Sequence, residues 1–356
     1  MEREPVLFMA RDAPLLLAEA REALAQFVGA SPEDLAFVPN ATTGLNAVLQ
    51  SLSLAAGDEL LVTDHEYNAS RNALEYVAAR HGARVVVISI PFPITGADAI
   101  LDVVLRSVTA KTRLALLDHV TSQTGLVLPI RELISELETR GVSVLIDGAH
   151  APGMLDLDID AMAPSYYTGN CHKWICAPKG AGFLWVRKDR REGVRPAVIS
   201  HGANAPVPRS ERFRAEFDWM GTADPSAALA VPDAIRFLGA LLPGGWKEIR
   251  ARNHALALAG RRLLADALEV ELPCPDEMIG SMAAIGLPAS SRFPIPESAH
   301  VFGQNPLHDA LFREHRIEVP ILLDPAKKTH LVRVSAHLYN TRDDYERLAA
   351  ALLSLL

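Results

Sequence analysis

The sequence predicts an α/β protein with a mostly parallel sheet sandwiched by helices, plus a smaller α+β domain at the C-terminal end. From about residue 34 to 190, short apolar runs alternate with helical patterns, as in ELLVTD (59–64) followed by ASRNALEYVAARHG (69–82). The apolar runs are continuous stretches of Val, Ile and Leu, which is typical of strands buried on both faces. Alternation of this kind predicts parallel strands joined by helices.

Each predicted element follows from the pattern of its residues. The strands are the apolar runs LAFV (35–38), ELLVTD (59–64), RVVVISI (84–90), RLALLDHV (113–120) and SVLI (143–146). Apolar residues at helical spacing lie between them, in 40–52, 69–82, 98–108 and 129–141. The second of these patterns ends in a glycine, as helices often do.

The later part of the chain changes character twice. Residues 191–232 are rich in Pro, Gly and Arg, which predicts irregular structure. Residues 231–242 and 248–268 have helical patterns, and the second pattern is long and amphipathic. A chain of 356 residues is long enough for two domains. We expect an N-terminal helical region over 1–30, a large α/β domain over 31–232 and a small α+β domain over 233–356.

The composition excludes several classes of protein. Hydrophobic residues make up 49% and charged residues 22%, as in an ordinary globular chain. The 35 basic and 43 acidic residues give a net charge of -8, which argues against a nucleic-acid partner or an anionic membrane surface. No apolar run reaches the roughly 18 residues of a membrane span, and the first residues lack a signal-peptide pattern. Three cysteines match neither a disulfide framework nor a zinc site, so we expect a soluble, cytoplasmic protein without a metal.

Polar residues follow several of the predicted strands, where parallel sheets bind their ligands. Thr42 and Thr43 begin the helix after LAFV, where free N–H groups favour phosphate, although a helix cap is the simpler explanation of these residues alone. Tyr67 follows ELLVTD and could stack on a flat ligand or be structural. Asp147 and His150 follow SVLI, and Asp147 could pair with a protonated ring nitrogen or cap the next turn.

The stretch GNCHKWICAPKGAG (169–182) contains two lysines among small residues. Lys173 lies between His172 and Trp174, ahead of the apolar run FLWV, whereas Lys179 is predicted to be an exposed loop residue. An amine that loses its water has a lowered pKa, and its neutral form condenses with an aldehyde. A lysine, a helix N-terminus that favours phosphate, an aromatic side chain that could stack on a flat ligand and a carboxylate together predict a site for pyridoxal 5'-phosphate.

These motifs resemble those of class V (fold-type I) pyridoxal-phosphate-dependent aminotransferases, and most closely the isopenicillin N epimerase-like branch. The resemblance extends from about residue 30 to the end of the chain. It rests on NATTGLNAVLQSL, DHEYNASRNAL, DGAHAPG, GNCHKW and RVSAHLYNTRDDYERL. It implies the fold-type I architecture, with a large cofactor-binding domain and a smaller C-terminal domain.

The resemblance also implies a role for each matching residue. Lys173 would hold the cofactor covalently, and Arg333 would bind the α-carboxylate of an amino-acid substrate. Gly221 and Thr222 would reach the phosphate bound by a neighbouring subunit, which implies a homodimer with shared active sites. Asp147 would contact the pyridine nitrogen of the cofactor, His150 its phenolic oxygen and Tyr67 the face of its ring. The phosphate would be bound by Thr42, Thr43, Asn170 and His172.

The implied chemistry is at the α-carbon of an amino acid, and an epimerase or racemase is the activity we expect. An aminotransferase, a C–S lyase and a non-catalytic protein with this fold stay open. A nucleotide-binding α/β protein also stays open, although neither GxGxxG nor GxxxxGK[ST] occurs. Cysteine desulfurases of this class carry a nucleophilic cysteine shortly before the carboxylate-binding arginine, and residues 314–332 contain no cysteine, which argues against persulfide chemistry.

Two further expectations concern the substrate pocket. Relatives usually begin with a segment that bears a GSFG-like turn, and this sequence starts at MEREPVLFMARDAP without one. We therefore expect either a truncated start or a pocket that is built differently. The loops 200–220 and 290–305 are expected to shape the pocket for the substrate side chain.

Overall fold

The main sheet has seven strands, within a computed structural model that describes residues 3–290, 292–295, 305–326 and 328–356. The strands are β1 (Leu35–Val38), β2 (Glu59–Thr63), β3 (Arg84–Ile88), β4 (Thr112–Asp118), β5 (Ser143–Gly148), β6 (Tyr166–Asn170) and β7 (Gly182–Val186). Their order across the sheet is β1-β7-β6-β5-β4-β2-β3. Strand β7 is antiparallel to both of its neighbours, and the other pairs are parallel.

Helices precede the sheet and connect its strands. The N-terminal region contains α1 (Pro5–Leu7), a π-helical turn (Phe8–Asp12) and α2 (Ala13–Val28). The helices between the strands are α3 (Ala41–Ser51), α4 (Asn68–His81), α5 (Ala97–Arg106), α6 (Ile130–Thr139) and α7 (Ile159–Met162). Helix α4 ends at Gly82, which has a left-handed φ of 65° as the sequence predicted for a C-terminal glycine.

The rest of the chain adds further helices and a second sheet. The helices are α8 (Arg212–Asp218), α9 (Ser226–Leu229), α10 (Val231–Gly239), α11 (Gly245–Leu268), α12 (Pro306–His315) and α13 (Arg342–Leu355). The second sheet contains β8 (Met282–Gly286), β9 (Ile321–Leu323) and β10 (His330–Ser335), in the antiparallel order β8-β10-β9. The predicted fold class is confirmed, while the domain boundaries near residues 31 and 233 stay predictions.

Across the ranges that the structure describes, no helix is both long and apolar enough to cross a membrane. The two faces of the main sheet are instead covered by two clusters of buried apolar residues. One cluster includes Ile100 of α5 and Leu133 of α6, and the other includes Leu45 of α3 and Leu74 of α4, all four 0% exposed. Burial on both faces explains why the strands are continuous apolar runs in the sequence.

The segment 191–232, which we expected to be irregular, contains a helix that the sequence analysis missed. Helix α8 buries Phe213 and Phe217 against the cluster that holds Leu45. The spacing of these two residues in FRAEF is that of neighbours on one helix face, and this was the available signal. Short 3-10 turns occur elsewhere in the segment, at Arg191–Gly193, His201–Asn204 and Arg209–Glu211.

Helix α3 packs unusually close to β6. A Cβ atom on Gly44 would lie 2.6 Å from Thr168 Oγ1, so a larger residue does not fit without movement. At the end of β6, Asn170 Oδ1 accepts a hydrogen bond of 2.9 Å from the backbone N–H of Ala41. These contacts hold the N-terminus of α3 at the carboxyl ends of the central strands.

Candidate active site

A cavity of about 240 Å³ lies at the carboxyl ends of the central strands. Seven residues that the sequence analysis selected line it together: Thr42, Tyr67, Asp147, His150, Asn170, His172 and Lys173. The lining is completed by Asn40, Ala41, Asp118, Val120, Ser122 and Ala149. The residues come from four strand ends and the N-terminus of α3, which is the arrangement expected of an α/β ligand site.

Lys173 contacts a histidine whose own orientation is fixed by a tryptophan. Lys173 Nζ lies 3.0 Å from His150 Nε2, and Trp174 Nε1 donates to His150 Nδ1 at 3.4 Å. Because an indole nitrogen only donates, this bond requires His150 Nδ1 to be unprotonated, so a neutral His150 carries its proton on Nε2. In that tautomer His150 donates toward Lys173, which can accept only as a neutral amine.

Loss of water around the Lys173 amine lowers its pKa from the ordinary 10.5 to about 8. The charges of Asp147 and Asp118 raise this pKa and the charge of Arg333 lowers it, but burial dominates. Near pH 7 the shift increases the neutral fraction of the amine roughly 300-fold. Burial also holds the pKa of His150 well below its usual range, with Lys173 adding to the effect, so His150 is neutral at this pH.

The N-terminus of α3 provides an open donor toward the cavity. Asn40 Oδ1 accepts from the backbone N–H of Thr43 at 2.9 Å and from its hydroxyl at 3.1 Å. Thr43 is therefore occupied by the helix cap, whereas the N–H and hydroxyl of Thr42 have no acceptor among the described residues. Across the cavity, His172 Nδ1 is buried and has no partner among them either. Free donors at a positive helix end bind anions such as phosphate.

Asp147 lies one residue before the end of β5, and each of its carboxylate oxygens accepts one hydrogen bond. Oδ2 accepts from Ser70 Oγ of α4 at 2.9 Å, and Oδ1 accepts from the backbone N–H of Ala149 at 3.0 Å. These bonds fix the carboxylate while leaving further lone pairs that can accept from a cationic N–H group. Tyr67, which is 45% exposed, borders the same cavity just before α4 begins.

Arg333 approaches the site from β10 of the second sheet. Its Nη1 donates to the backbone carbonyl of Ser122, a residue that lines the cavity. The guanidinium is near enough for its charge to lower the pKa of both Lys173 and His150. Arg333 Nε is buried without a partner in the described part of the chain. The guanidinium therefore keeps donors for an additional acceptor.

Gly221 and Thr222 lie outside this cavity. Both are exposed, and Thr222 lines a separate groove with Pro5, Val6, Met9, Ala10, His201 and Trp219. Thr222 does not cap helix α9, because Asp224 Oδ1 accepts from the backbone N–H of Ser226 at the start of that helix. Lys179 is exposed, as predicted.

The loops 200–220 and 290–305, which were expected to shape the side-chain pocket, are described to different extents. None of residues 200–220 lines the cavity within this chain. In the second loop, residues 291 and 296–304 lie outside the described residues.

Several residues of the site were missed by the sequence analysis. Asp118 directly follows the apolar run RLALL, so inspection of that strand end would have found it. Glu66 and Ser70 lie within the quoted motif DHEYNASRNAL but were not singled out. The capping role of Asn40 and the bond from Trp174 to His150 depend on side-chain directions that a sequence does not encode.

A parallel α/β sheet whose strand ends surround a desolvated lysine, a helix N-terminus and a carboxylate is the framework of fold-type I pyridoxal-phosphate-dependent enzymes. The chain belongs to the class-V aminotransferase family: the profile described as Aminotransferase class-V matches residues 7–348. This membership confirms the resemblance seen in the motifs and establishes the protein as an enzyme with pyridoxal 5'-phosphate as its cofactor. The open α3 N-terminus, the amine of Lys173 and the carboxylate of Asp147 fit that group.

Named relatives and solved structures agree with this assignment. The chain is 37% identical to the isopenicillin N epimerase of Streptomyces clavuligerus, covering 99% of this chain and 87% of the relative. It is 32% identical to a probable chloroplastic L-cysteine desulfhydrase of Arabidopsis thaliana, covering 99% of this chain and 77% of the relative. The cysteine desulfurase from Thermococcus onnurineus NA1 has the same fold, with a TM-score of 0.77 at 21% identity, covering 97% of this chain and 84% of that one.

The hydrogen bond from Trp174 to His150 is expected to influence the pKa of Lys173. Trp174→Phe removes the donor, so His150 can move its proton to Nδ1 and accept from the ammonium form of Lys173. We expect the pKa of Lys173 to rise from about 8, by about half a unit or more. The measurement is the pH dependence of Lys173 acylation in cofactor-free, full-length protein, followed by peptide mass spectrometry.

Trp185→Phe is the matched control for this experiment. Trp185 Nε1 donates to Asp160 Oδ1 at 3.0 Å, and neither residue lines the cavity. The control should keep the wild-type midpoint. If Trp174→Phe keeps it as well, the indole does not set the state of the lysine.

Proposed function

We propose that this chain is an amino-acid epimerase or racemase that uses Lys173 to hold its cofactor and to move the α-proton of the substrate. The observation that carries the proposal is the desolvated amine of Lys173, with a pKa of about 8, in one cavity with an open helix N-terminus and a carboxylate. In the same proposal, Asp147 binds the ring nitrogen of the cofactor, His150 its phenolic oxygen and Tyr67 its ring face. The phosphate is bound by Thr42, Thr43, Asn170 and His172.

The bound cofactor supplies an electron-poor pyridine ring, which makes the Cα–H bond of an attached amino acid acidic. Asp147 would place its carboxylate against the ring nitrogen, since Ser70 and Ala149 hold both of its oxygens in place. Lys173 accepts the α-proton at Nζ and returns it, which a neutral amine with a pKa near the working pH does efficiently. To accept this proton, Nζ has to give up the hydrogen bond from the N–H of His150, because a neutral amine has a single lone pair.

We propose that Arg333 binds the α-carboxylate of the substrate. A guanidinium offers five donors in a planar fork, and the bond to the Ser122 carbonyl uses only part of it. The unpartnered Arg333 Nε supports this role, because a buried donor without an acceptor is costly until a ligand supplies one. Binding the carboxylate on β10 orients the Cα–H bond toward the cavity that contains Lys173.

A C–S lyase is the second candidate, because the L-cysteine desulfhydrase relative is 32% identical over nearly the whole chain. Both reactions begin by removing the α-proton, so the proposed roles of Lys173 and Asp147 are shared. Identity to the isopenicillin N epimerases is higher, at 37% and 38%, and this favours the epimerase. Cysteine desulfurase chemistry is not proposed, because residues 314–332 contain no cysteine to carry a persulfide.

We further propose a cytoplasmic homodimer in which Gly221 and Thr222 complete the site of the partner subunit. Thr222 is exposed beside a groove lined by apolar residues, and Val6 on the same groove is 81% exposed. A second copy of the chain would cover this surface and provide a donor for the phosphate. The three unpaired cysteines, Cys171, Cys176 and Cys274, are typical of a reducing compartment.

The covalent role of Lys173 is tested by borohydride reduction of the cofactor-loaded protein, followed by peptide mass spectrometry. We expect the cofactor to be fixed on Lys173, and we expect Lys173→Ala to retain the cofactor only reversibly and to lose turnover by several powers of ten. Lys179→Ala is the control, because Lys179 is exposed in the same loop and should behave as wild type. Reduction of the cofactor onto Lys179 would refute the assignment.

The shared site is tested by mixing two inactive variants. Chains with Lys173→Ala and chains with Thr222→Ala should form mixed dimers in which one site regains both residues, so about a quarter of all sites recover at random pairing. Recovered cofactor retention and turnover are measured after mixing. Mixing Lys173→Ala with a Lys173→Ala, Thr222→Ala double variant is the control, because no site regains the lysine. An active monomer in light scattering would contradict the proposal.

A further inference from the structure

Two more carboxyl groups lie behind Asp147, and the roles proposed above do not use them. Asp118 ends β4 and is the register partner of Asp147 on β5, so the two residues are neighbours at the same edge of the sheet. Asp118 is 2% exposed and lines the cavity. Glu66 is 4% exposed and lies just before α4, the helix whose Ser70 binds Asp147.

These two carboxyl groups receive very few hydrogen bonds. Glu66 Oε1 accepts from the backbone N–H of Tyr67 at 3.2 Å, and Glu66 Oε2 is buried without a partner in the described chain. Asp118 Oδ2 is also buried without a partner there. The two groups adjoin each other, and two carboxylates have no proton to donate. A proton held between them supplies the missing hydrogen bond to both.

The charges that face the pair determine how many protons it holds. Burial raises the pKa of both Glu66 and Asp118 well above their usual range, and the nearby charge of Asp147 raises them further. Two adjoining carboxylates that are both ionised beside a third are therefore strongly disfavoured. In the opposite direction, the charge of Lys173 lowers the pKa of Asp118, which favours one negative charge on the pair. One shared proton satisfies both constraints.

We propose that Glu66 and Asp118 share one proton and act as a positioning pair that sets the proton affinity of the groups facing Asp147. With Asp147 ionised, the three carboxyl groups carry two negative charges. The part of the shared charge that Asp118 carries is nearer the cavity, and it raises the proton affinity of Lys173. The same charge favours a protonated nitrogen held at Asp147. This last consequence rests on the function proposed above, whereas the shared proton does not.

Amide substitutions separate the two members of the pair. Glu66→Gln places an N–H group where the shared proton was, so the negative charge is confined to Asp118, next to the cavity. Asp118→Asn confines the charge to Glu66, farther from Lys173. We therefore expect the pKa of Lys173 to rise in Glu66→Gln and to fall in Asp118→Asn, each by about half a unit. Each amide has nearly the size and shape of the carboxyl group that it replaces, so the packing is preserved.

The first readout is the infrared spectrum of the full-length, cofactor-loaded protein in H₂O and D₂O. The wild type should show a deuterium-sensitive C=O band from a protonated carboxyl group, and each amide variant should lose it. The second readout is the pH midpoint of Lys173 acylation in the cofactor-free protein. Both readouts report on the pair even if Lys173 is not the residue that holds the cofactor.

Glu59→Gln is the matched control. Glu59 is also 4% exposed, but Arg84 donates to it at 2.6 Å and Thr109 at 2.7 Å, so its pKa is lowered and it is ionised. Its substitution should remove no protonated-carboxyl band. The proposal is overturned if the wild type lacks such a band, if the band survives in both amide variants, or if both variants shift the Lys173 midpoint in the same direction.

Discussion

The removal of water from the Lys173 amine is the constraint on which the rest of the site depends. It lowers the pKa of the amine to about 8 and increases the supply of the neutral form that both covalent attachment and proton transfer require. Water alone would be a poor neighbour for such a group, because it would favour the ammonium form. His150, held by Trp174, offers a donor in place of water.

The fold meets this constraint by bringing rigid strand ends together. Strands β4, β5 and β6 place Asp118, Asp147 and Asn170 at one edge of the sheet, and Asn170 ties that edge to the N-terminus of α3. The result is a division of charge across the cavity. Thr42 lines the cavity together with the carboxyl groups of β4 and β5, and the cationic Arg333 binds Ser122 at its border. A zwitterionic substrate and an anionic cofactor both find complementary charges in such an arrangement.

The sequence predicted the site residues that a local pattern marks. It missed the contacts that depend on strand register or on the direction of a side chain. Asp147 could be predicted because it directly follows the apolar run SVLI. Lys173 could be predicted because it lies between His172 and Trp174 in a stretch of small residues. The nearness of Asp118 to Asp147 depends on the register of β4 and β5, which no local pattern reports. The proposed phosphate contacts of Thr43, Gly221 and Thr222 also depend on such details. The Thr43 hydroxyl donates to Asn40, and the proposed roles of Gly221 and Thr222 would be played in a second chain.

The central claim, that Lys173 moves the α-proton of an amino acid in this cavity, is tested most directly by isotope exchange. L- and D-amino acids are incubated in D₂O with the cofactor-loaded enzyme, and loss of the Cα–H signal is followed by NMR. We expect exchange for at least one amino acid, with no exchange above background in Lys173→Ala. Exchange at the wild-type rate in Lys173→Ala, or no exchange across the whole panel with wild type, would contradict it.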